Sequence, residues 1–412
     1  MTVIEFFDKS PIENILSSFT MNLDKIIFIG REDSVDKSIS VYRNVFIKKG
    51  MNIKMEYRSI KENDLEAIEK VLSEIVEAEK NGCAFDLTGG DDMFLVAVGI
   101  IFQKYKNEKI LQMHRFNIEN GVIYDCDKDG KFPCYVKDKA EISLNEWISL
   151  YGGLIAREAT EERQFFKDHE TDINSVWNFR KAENEWNASI GRLSRFQSYR
   201  TKMNAAPLAV KLESNRCSNR IEKYISQRNA LWSFLRSMRQ KELLSSLTCK
   251  NNFQIIFFEY QNELIKKCFS KQGEILELKI LQILYNMEDG TGNPYFCDIK
   301  RGVSIDWDGE IKNNNDTENE IDLIAMCDLV PVFISCKNGA IGEVELYKLH
   351  TVASRFGGKH VKKILISSES GAEVQRLKGR ARDMNITIID GVAKEKECSD
   401  AFIAEQIKKV FS

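Results

Sequence analysis

Between Glu318 and Gly339 the chain reads ENEIDLIAMCDLVPVFISCKNG, which places an acid, Asp322, near the start of one apolar run and a lysine, Lys337, at the end of the next. Side chains alternate faces along a strand, and the short Asp328 to Pro331 connection forces two such strands antiparallel. The carboxylate and the ammonium are therefore expected at one edge of a sheet. A carboxylate there can hold a hard divalent cation while a lysine steadies the hydroxide that attacks phosphorus, the chemistry of metal-dependent phosphodiester hydrolysis. The plainer alternative is a buried hairpin ending in a solvated lysine. The flanking pattern favours the first reading. A helical run, Gly273 to Asn286, carries Glu277, and a strand-like segment, Phe296 to Asp306, follows it. After the hairpin come a helix (Glu343 to Phe356), a strand (Lys363 to Ser367), a helix (Ala372 to Met384) and a strand (Ile386 to Asp390).

This α-β-β-β-α-β-α-β order resembles the restriction-endonuclease-like core of the PD-(D/E)xK superfamily, with Asp322 at the motif aspartate and Lys337 at the motif lysine. Glu277 matches the acid often found on the first helix, and Glu320, two residues before the aspartate, shares its face of the strand. The position two before the lysine, where the superfamily has Asp or Glu, is Ser335. A serine hydroxyl is a weak metal ligand, so one negative charge is missing. Three supplies are open: Glu277 or Glu320, the backbone carbonyl of Cys336 as the superfamily resemblance implies, or Glu343 or Glu345 on the following helix. The first two together are the preferred set, giving Asp322, Glu277 and Cys336 as the metal-holding residues, with Glu320 in support.

At 412 residues the chain has length for two or three domains, and its 43% hydrophobic and 29% charged residues are those of a soluble globular protein. No apolar run reaches the length of a membrane span, and the start, MTVIEFFDKSPIENIL, carries acids where a signal peptide needs a basic end, so a cytoplasmic location is expected. The ten cysteines are scattered without a CxxC, and Cys83, Cys327 and Cys336 read as small buried thiols. Four histidines and no HExxH argue against zinc. The net charge of -3 gives no global sign of nucleic-acid binding, but its distribution is uneven. Ile190 to Lys241 holds twelve lysines and arginines against two acids, Glu213 and Glu222, interleaved with Phe196, Tyr199, Tyr224, Trp232 and Phe234. Such a run is either a solvated helix face with an aromatic core beneath it or a surface that grips a phosphate backbone.

The N-terminal third alternates strand and helix: Lys25 to Gly30, a helix ending near Gly50, Ile53 to Ser59, a helix from Asp64 to Lys80, then Cys83 to Thr88. Short β-α connections make a parallel sheet covered by helices, with ligands at the carboxyl ends of its strands. There the chain places Thr88, Gly89, Gly90, Asp91 and Asp92, followed by an apolar helix from Met93 to Tyr105. Glycines permit close approach, and the amides of a helix start favour anions. A tight turn with Asp91 or Asp92 as the helix cap is the alternative. The aspartates would repel a bare polyphosphate, so a nucleotide fits better. Between these ends, Trp177 and Trp186 lie in helical spacing, and Asn252 to Tyr260 with Leu264 to Phe269 reads as a strand pair in a small winged-helix-like connector.

The motifs FFDKSPIENI, KIIFIGRED, CAFDLTGGDDM, GEILELKI and NEID…ISCKNG, in that order, resemble the CRISPR-associated Rossmann-fold (CARF) nucleases of the DUF1887 type, effectors of type III CRISPR systems. The resemblance is weakest between about 160 and 270. It implies an α/β protein: a CARF sensor of cyclic oligoadenylate (1–155), a basic connector (156–270) and a nuclease domain (271–412). It further implies cyclic tetra-adenylate bound at a homodimer interface, lined by Gly30, Arg31, Thr88, Gly89, Gly90 and Asp91. The nuclease would depend on Mn²⁺ or Mg²⁺ and cut DNA, RNA or both, single-stranded or duplex, with no membrane partner. Two other readings stay open: a ligand-sensing regulator with a degenerate nuclease fold, which Ser335 favours, and a ligand-independent repair nuclease.

Overall fold

Runs of β-branched and aromatic residues bounded by polar turns form the strands, and apolar residues at helical spacing cover them. The chain is described here from a computed structural model that covers residues 1–412 except 8–9, 20, 22, 31, 61–63, 119–120, 127–130, 136–141, 160, 199–208, 214–220, 251–254, 310–317, 340, 395–397 and 412; the side chains of 32–38, 131–135, 195–198, 209–213, 221–225, 318 and 373 are also outside the description. The architecture is α/β: a Rossmann-like N-terminal sheet, a helical connector with a small antiparallel sheet, and a C-terminal α/β segment. The fold separates into two compact units, residues 1–158 with 296–333 and 350–362, and residues 159–295 with 334–349 and 363–412.

The N-terminal segment runs β1 (Thr2–Phe6), β2 (Lys25–Gly30), α1 (Glu32–Lys48), β3 (Lys54–Ser59), α2 (Leu65–Ala78), β4 (Cys83–Asp86), α3 (Asp92–Tyr105), β5 (Leu111–Asn117), β6 (Val122–Asp125), β7 (Lys131–Tyr135), α4 (Leu144–Leu150) and β8 (Leu154–Arg157). The sheet order is β3-β2-β1-β4-β5-β6-β7, parallel from β3 through β5. The strand that sequence reasoning missed, β1, is the middle one of the five parallel strands. Its five residues, TVIEF, precede the FFDKSPIENI motif and share only Phe6 with it, and all five are buried. Helices α2 and α3 pack Ile68, Leu72, Val76, Phe94, Ala97, Val98 and Ile101 against Ile4, Phe6, Ile27, Ile29 and Phe85. Asp64 caps α2, accepting from the Ala67 amide at 2.7 Å.

The connector comprises α5 (Arg163–Asp168), α6 (Glu170–Ala182), α7 (Trp186–Ser198), β9 (Ala209–Glu213), α8 (Ile221–Gln240), β10 (Leu244–Lys250), β11 (Ile255–Tyr260) and α9 (Glu263–Cys268), with an antiparallel sheet ordered β10-β11-β9. One sequence expectation is corrected here, and one left open is decided. Leu264 to Phe269 is not a strand but the helix α9, because Asn262 caps it, accepting from the Ile265 amide at 2.9 Å, and Leu264, Ile265 and Cys268 turn one helical face inward. β11 pairs instead with β10 and β9. Phe234 is core, its ring 5.5 Å from Phe179 and 6.1 Å from Phe269, and so is no stacking platform for bases. Phe196, Tyr199 and Tyr224 lie outside the described side chains.

The C-terminal segment runs α10 (Glu274–Asn286), β12 (Asp298–Asp306), β13 (Glu318–Cys327), β14 (Val330–Lys337), α11 (Glu343–Phe356), β15 (Lys362–Ser367), α12 (Ala372–Asp383), β16 (Ile386–Ile389) and α13 (Asp400–Lys408). The six-stranded order β16-β15-β14-β13-β12-β8 contains the anticipated three-strand meander, and β8 adds an edge strand to it. The hairpin turn is tighter than the sequence implied. It is Asp328 and Leu329, with Asp328 in the left-handed region at φ 52°, and Pro331 already belongs to β14. Lys279 is buried in α10 and donates to Asn174 (2.7 Å), Gln282 (2.9 Å) and Asp400 (2.6 Å), which anchors α13 to α10. Cys83 and Cys336 are buried as expected, and Cys327 is half-buried. Burial pushes the Cys83 thiol up to about 12, which removes it from thiolate chemistry near neutral pH.

Candidate functional site

The chain leaves β1 for β2 on one side and returns to β4 on the other, so the direction of winding reverses between β1 and β4. In an open α/β sheet the crevice outside the carboxyl ends at such a point is where ligands bind. The Thr88 to Asp91 loop leaves β4 there. Gly90 has φ +97°, and a Cβ on it would stand 2.8 Å from the Cβ of Phe6 at the end of β1. Glycine is thus required twice over, by conformation and by the close approach of the β1 side chain.

The other loop residues are engaged in the architecture. Asp91 caps α3, its Oδ1 accepting from the Met93 and Phe94 amides at 3.1 and 3.2 Å. The cap alternative raised from sequence is therefore what Asp91 does. Thr88 donates from both its amide (2.8 Å) and its hydroxyl to Asp86 Oδ1, and that hydroxyl accepts from the Phe116 amide at 2.7 Å. Gly30 closes β2, its carbonyl accepting from the Ile60 amide at 3.0 Å and the Tyr57 hydroxyl at 3.3 Å. Arg31 lies outside the described residues.

Beneath the loop lies a polar cluster that sequence reading overlooked. Glu5 of β1 and Asp86 of β4 are fully buried, and His114 of β5, opposite Asp86 in register, is 3% exposed. Ser17 donates to both carboxyls and Ser18 donates to Glu5 at 2.5 Å. His114 Nε2 stands 3.8 Å from Asp86 Oδ2, and among the described residues neither of its ring nitrogens makes a hydrogen bond. Burial first, then the neighbouring Asp86 carboxylate, push the Glu5 carboxyl well above its ordinary 4.5, while the Ser17 and Ser18 hydroxyls pull the other way. The signal was faint: an acid at an inward-facing strand position, VIEF, in a run too short to stand out. Its consequence for stability has a definite sign. Above 4.5 the unfolded chain releases a proton that folded Glu5 keeps, so stability is lost as pH rises towards the raised folded value. Glu5→Gln, which mimics the protonated acid, is expected to flatten this dependence and raise the melting temperature at about pH 8 relative to wild type. Parallel pH dependences of melting for the two proteins would refute it.

The hydrolytic candidates divide between the two units. In the first, Asp322 is half-buried on β13 and Glu320, two residues earlier, is exposed, while the intervening Ile321 and the following Leu323 are buried. Glu320 pairs across from Ser304 of β12, and the register continues on either side of Asp322 past Gly302, which sits at φ +57°. In the second unit, Lys337 is half-buried at the end of β14, and Ser335 and Cys336 before it are buried. Glu277 is half-buried in the first turn of α10, whose N-cap, Gly273, leaves room beside it: a Cβ there would stand 3.6 Å from Glu277 Oε1. Glu343, the alternative acid on α11, is bound to Arg380, and Glu345 accepts from the Gly342 amide at 3.0 Å. Among the described residues, no three or more Asp, Glu, His or Cys side chains are grouped so as to hold a metal ion. Also among the described residues, no helix is long and apolar enough to cross a membrane.

No protein-family model matches this chain, and no curated protein sequence does. Its fold is found in solved structures. Protein VC1899 from Vibrio cholerae superposes with a TM-score of 0.71 at 16% identity, over 99% of this chain and 98% of that one. Can2 from Sulfobacillus thermosulfidooxidans, in complex with cyclic tetra-adenylate, gives 0.65 at 13% identity over 100% and 97%. A type III CRISPR defence DNA nuclease activated by cyclic oligoadenylate gives 0.50 at 10% identity, over 98% of this chain but 51% of that one.

Proposed function

We propose that this protein is a cyclic oligoadenylate-activated endonuclease of type III CRISPR defence, of the CARF class, with a C-terminal PD-(D/E)xK nuclease domain. The observation that carries the reading is full-length: one chain holds both a TGG loop at the switch point of a Rossmann-like sheet and a hairpin ending in Lys337, and it shares its fold end to end with Can2, which binds cyclic tetra-adenylate. The ligand proposed is cyclic tetra-adenylate, held at the loops after β2 and β4 by Gly30, Arg31, Thr88, Gly89 and Gly90, with Asp91 shaping the loop from its capping position.

The protein is proposed to act as a homodimer with the ring on its axis, because a two-fold symmetric ring suits two equivalent half-sites. Directly after the ligand loop, α3 exposes Leu95, Val96 and Ile100 on one face, an apolar surface of the kind that self-association covers. The type III nuclease of which this chain spans 51% has length for two such copies in one chain, which agrees.

In the nuclease domain, Lys337 would orient and help deprotonate the water that attacks phosphorus, the 3′ oxygen leaving to give a 5′-phosphate. Asp322 and Glu277, with the Cys336 carbonyl and support from Glu320, are the proposed holders of Mg²⁺ or Mn²⁺. Two carboxylates suit Mg²⁺, which keeps several waters and binds substrate phosphate besides one or two protein acids. When bound, the ion would neutralise charge on the phosphodiester. Nucleic acid would be gripped by the basic connector, of which Arg236, Arg239 and Lys241 are exposed at the end of α8.

Ser335 in place of a carboxylate supports a second reading, a ligand-sensing nucleic-acid-binding regulator with an inactive nuclease fold. Incubating supercoiled plasmid, single-stranded DNA and RNA with Mn²⁺ separates the readings. Cleavage that requires cyclic tetra-adenylate and is abolished by EDTA is the expected result. Ligand and DNA binding without cleavage supports the regulator, and cleavage without ligand supports a repair nuclease.

A further inference from the structure

The residue after Lys337 is held by more hydrogen bonds than a loop at a strand end needs. Asn338 Oδ1 accepts from Arg180 Nε at 3.3 Å and from Nη2 at 3.0 Å. Its Nδ2 donates to Asn187 Oδ1 at 2.5 Å and to the Gln272 carbonyl at 2.6 Å. Its backbone carbonyl accepts from Asn187 Nδ2 at 2.9 Å. The amide orientation is thereby fixed, with the oxygen towards a cation and the nitrogen towards two acceptors.

These partners come from outside the strand. Arg180 ends α6 and Asn187 begins α7, both in the connector. Gln272 immediately precedes the N-cap of α10, the helix of Glu277. It is tied back as well, its side chain donating to the Asn187 carbonyl at 3.0 Å and its own carbonyl accepting from Trp186 Nε1 at 3.1 Å. Arg180 is 3% exposed, its guanidinium 5.6 Å from the Trp186 ring and 3.5 Å from Glu369. Burial draws its pKa below the ordinary value while Glu369 opposes that, yet a guanidinium stays charged in a protein. From the sheet itself come the Ser368 amide on the Lys337 carbonyl, at 2.9 Å, and Ser367 Oγ on the Gly339 carbonyl, at 3.4 Å.

We propose that Arg180 and Asn187 are positioning residues for Lys337: through Asn338 they clamp the catalytic lysine to the connector helices and to the start of α10, so that α6 and α7 fix the place of the lysine relative to Glu277. The inference rests on Lys337 being the nuclease lysine. A structural role alone explains a buried arginine with a carboxylate partner. It does not explain why one asparagine, next to that lysine, gathers α6, α7 and the α10 start, each by a separate bond.

The test uses the full-length protein with Mn²⁺, cyclic tetra-adenylate and plasmid, comparing Asn187→Ala, Arg180→Lys and Lys337→Ala, with rates expressed per folded molecule from the melting transition. Arg180→Lys keeps the charge and loses the fork onto Asn338. Asn187→Ala is the decisive variant, because it removes half-buried side-chain bonds without stranding a buried charge. Its kcat is expected to fall about tenfold with KM for plasmid nearly unchanged, because geometry around the lysine matters in the transition state and not in binding. Arg180→Lys is expected to shift in the same direction. Wild-type kcat per folded molecule in Asn187→Ala, or a change confined to KM, overturns the clamp. If Lys337→Ala is inactive in that experiment the nuclease site survives the clamp's failure; if Lys337→Ala cuts normally, the site and the clamp fall together.

Discussion

Lys337→Ala is expected to lower ligand-activated cleavage at least about a hundredfold while leaving the fold and ligand binding intact. The side chain is half-buried at the end of β14, and its backbone carbonyl, held by the Ser368 amide at 2.9 Å, keeps its partner in the variant. On the proposed function, what is removed is one positive charge beside the reacting phosphate, and such stabilisation of developing charge is worth about 3 kcal/mol, hence the hundredfold. Arginine is not expected to restore the rate, because a planar, delocalised fork does not place a point charge where an ammonium stood. Single-turnover cleavage in Mn²⁺ with cyclic tetra-adenylate, alongside thermal melting, measures both halves of this expectation. Near-wild-type turnover would remove this hairpin as the active site and return the regulator reading.

Gly90→Val is expected to be the most damaging single change in the N-terminal segment, and to act on the fold before it acts on the ligand. At φ +97° any Cβ is strained, and 2.8 Å from the Phe6 Cβ it meets a backbone-proximal atom of β1 that cannot rotate away. Strain of about 1–2 kcal/mol from the backbone and about 1–3 kcal/mol from overpacking add at this one position. A substitution there therefore cannot serve as a clean block of the ligand pocket. Melting followed by tryptophan fluorescence and by ligand titration separates the effects: early unfolding with ligand affinity lost in step is expected. A normally stable Gly90→Val would show that the loop leaves β4 by a different path.

The local pattern of this sequence determined its elements well. Helix α11 has the bounds that apolar spacing assigned, β2 likewise, and the Asp64 and Asp91 caps follow from short acids placed before apolar helices. The D…K hairpin and the TGG loop are also local, since each depends on a few neighbouring residues. What needed the tertiary structure was partner choice. Nothing near Thr2–Phe6 says that this strand becomes an interior strand of the sheet, yet its pairing with both β2 and β4 creates the switch point and puts Phe6 against Gly90. Asn262 made a helix where alternation had implied a strand, because one side-chain cap outweighs a weak period of two. Glu5, Asp86 and His114 are scattered in the sequence and meet only in adjacent strands, where burial, more than any neighbour, moves the proton on Glu5. Asn338 reads as an ordinary residue after a lysine, and only folding brings Arg180 and Asn187, distant in sequence by 158 and 151 positions, to its two ends. Propensity and capping act within a few residues and are written locally. Pairing, burial and clamping depend on which distant surfaces exclude water together, and that is settled only when the whole chain has packed.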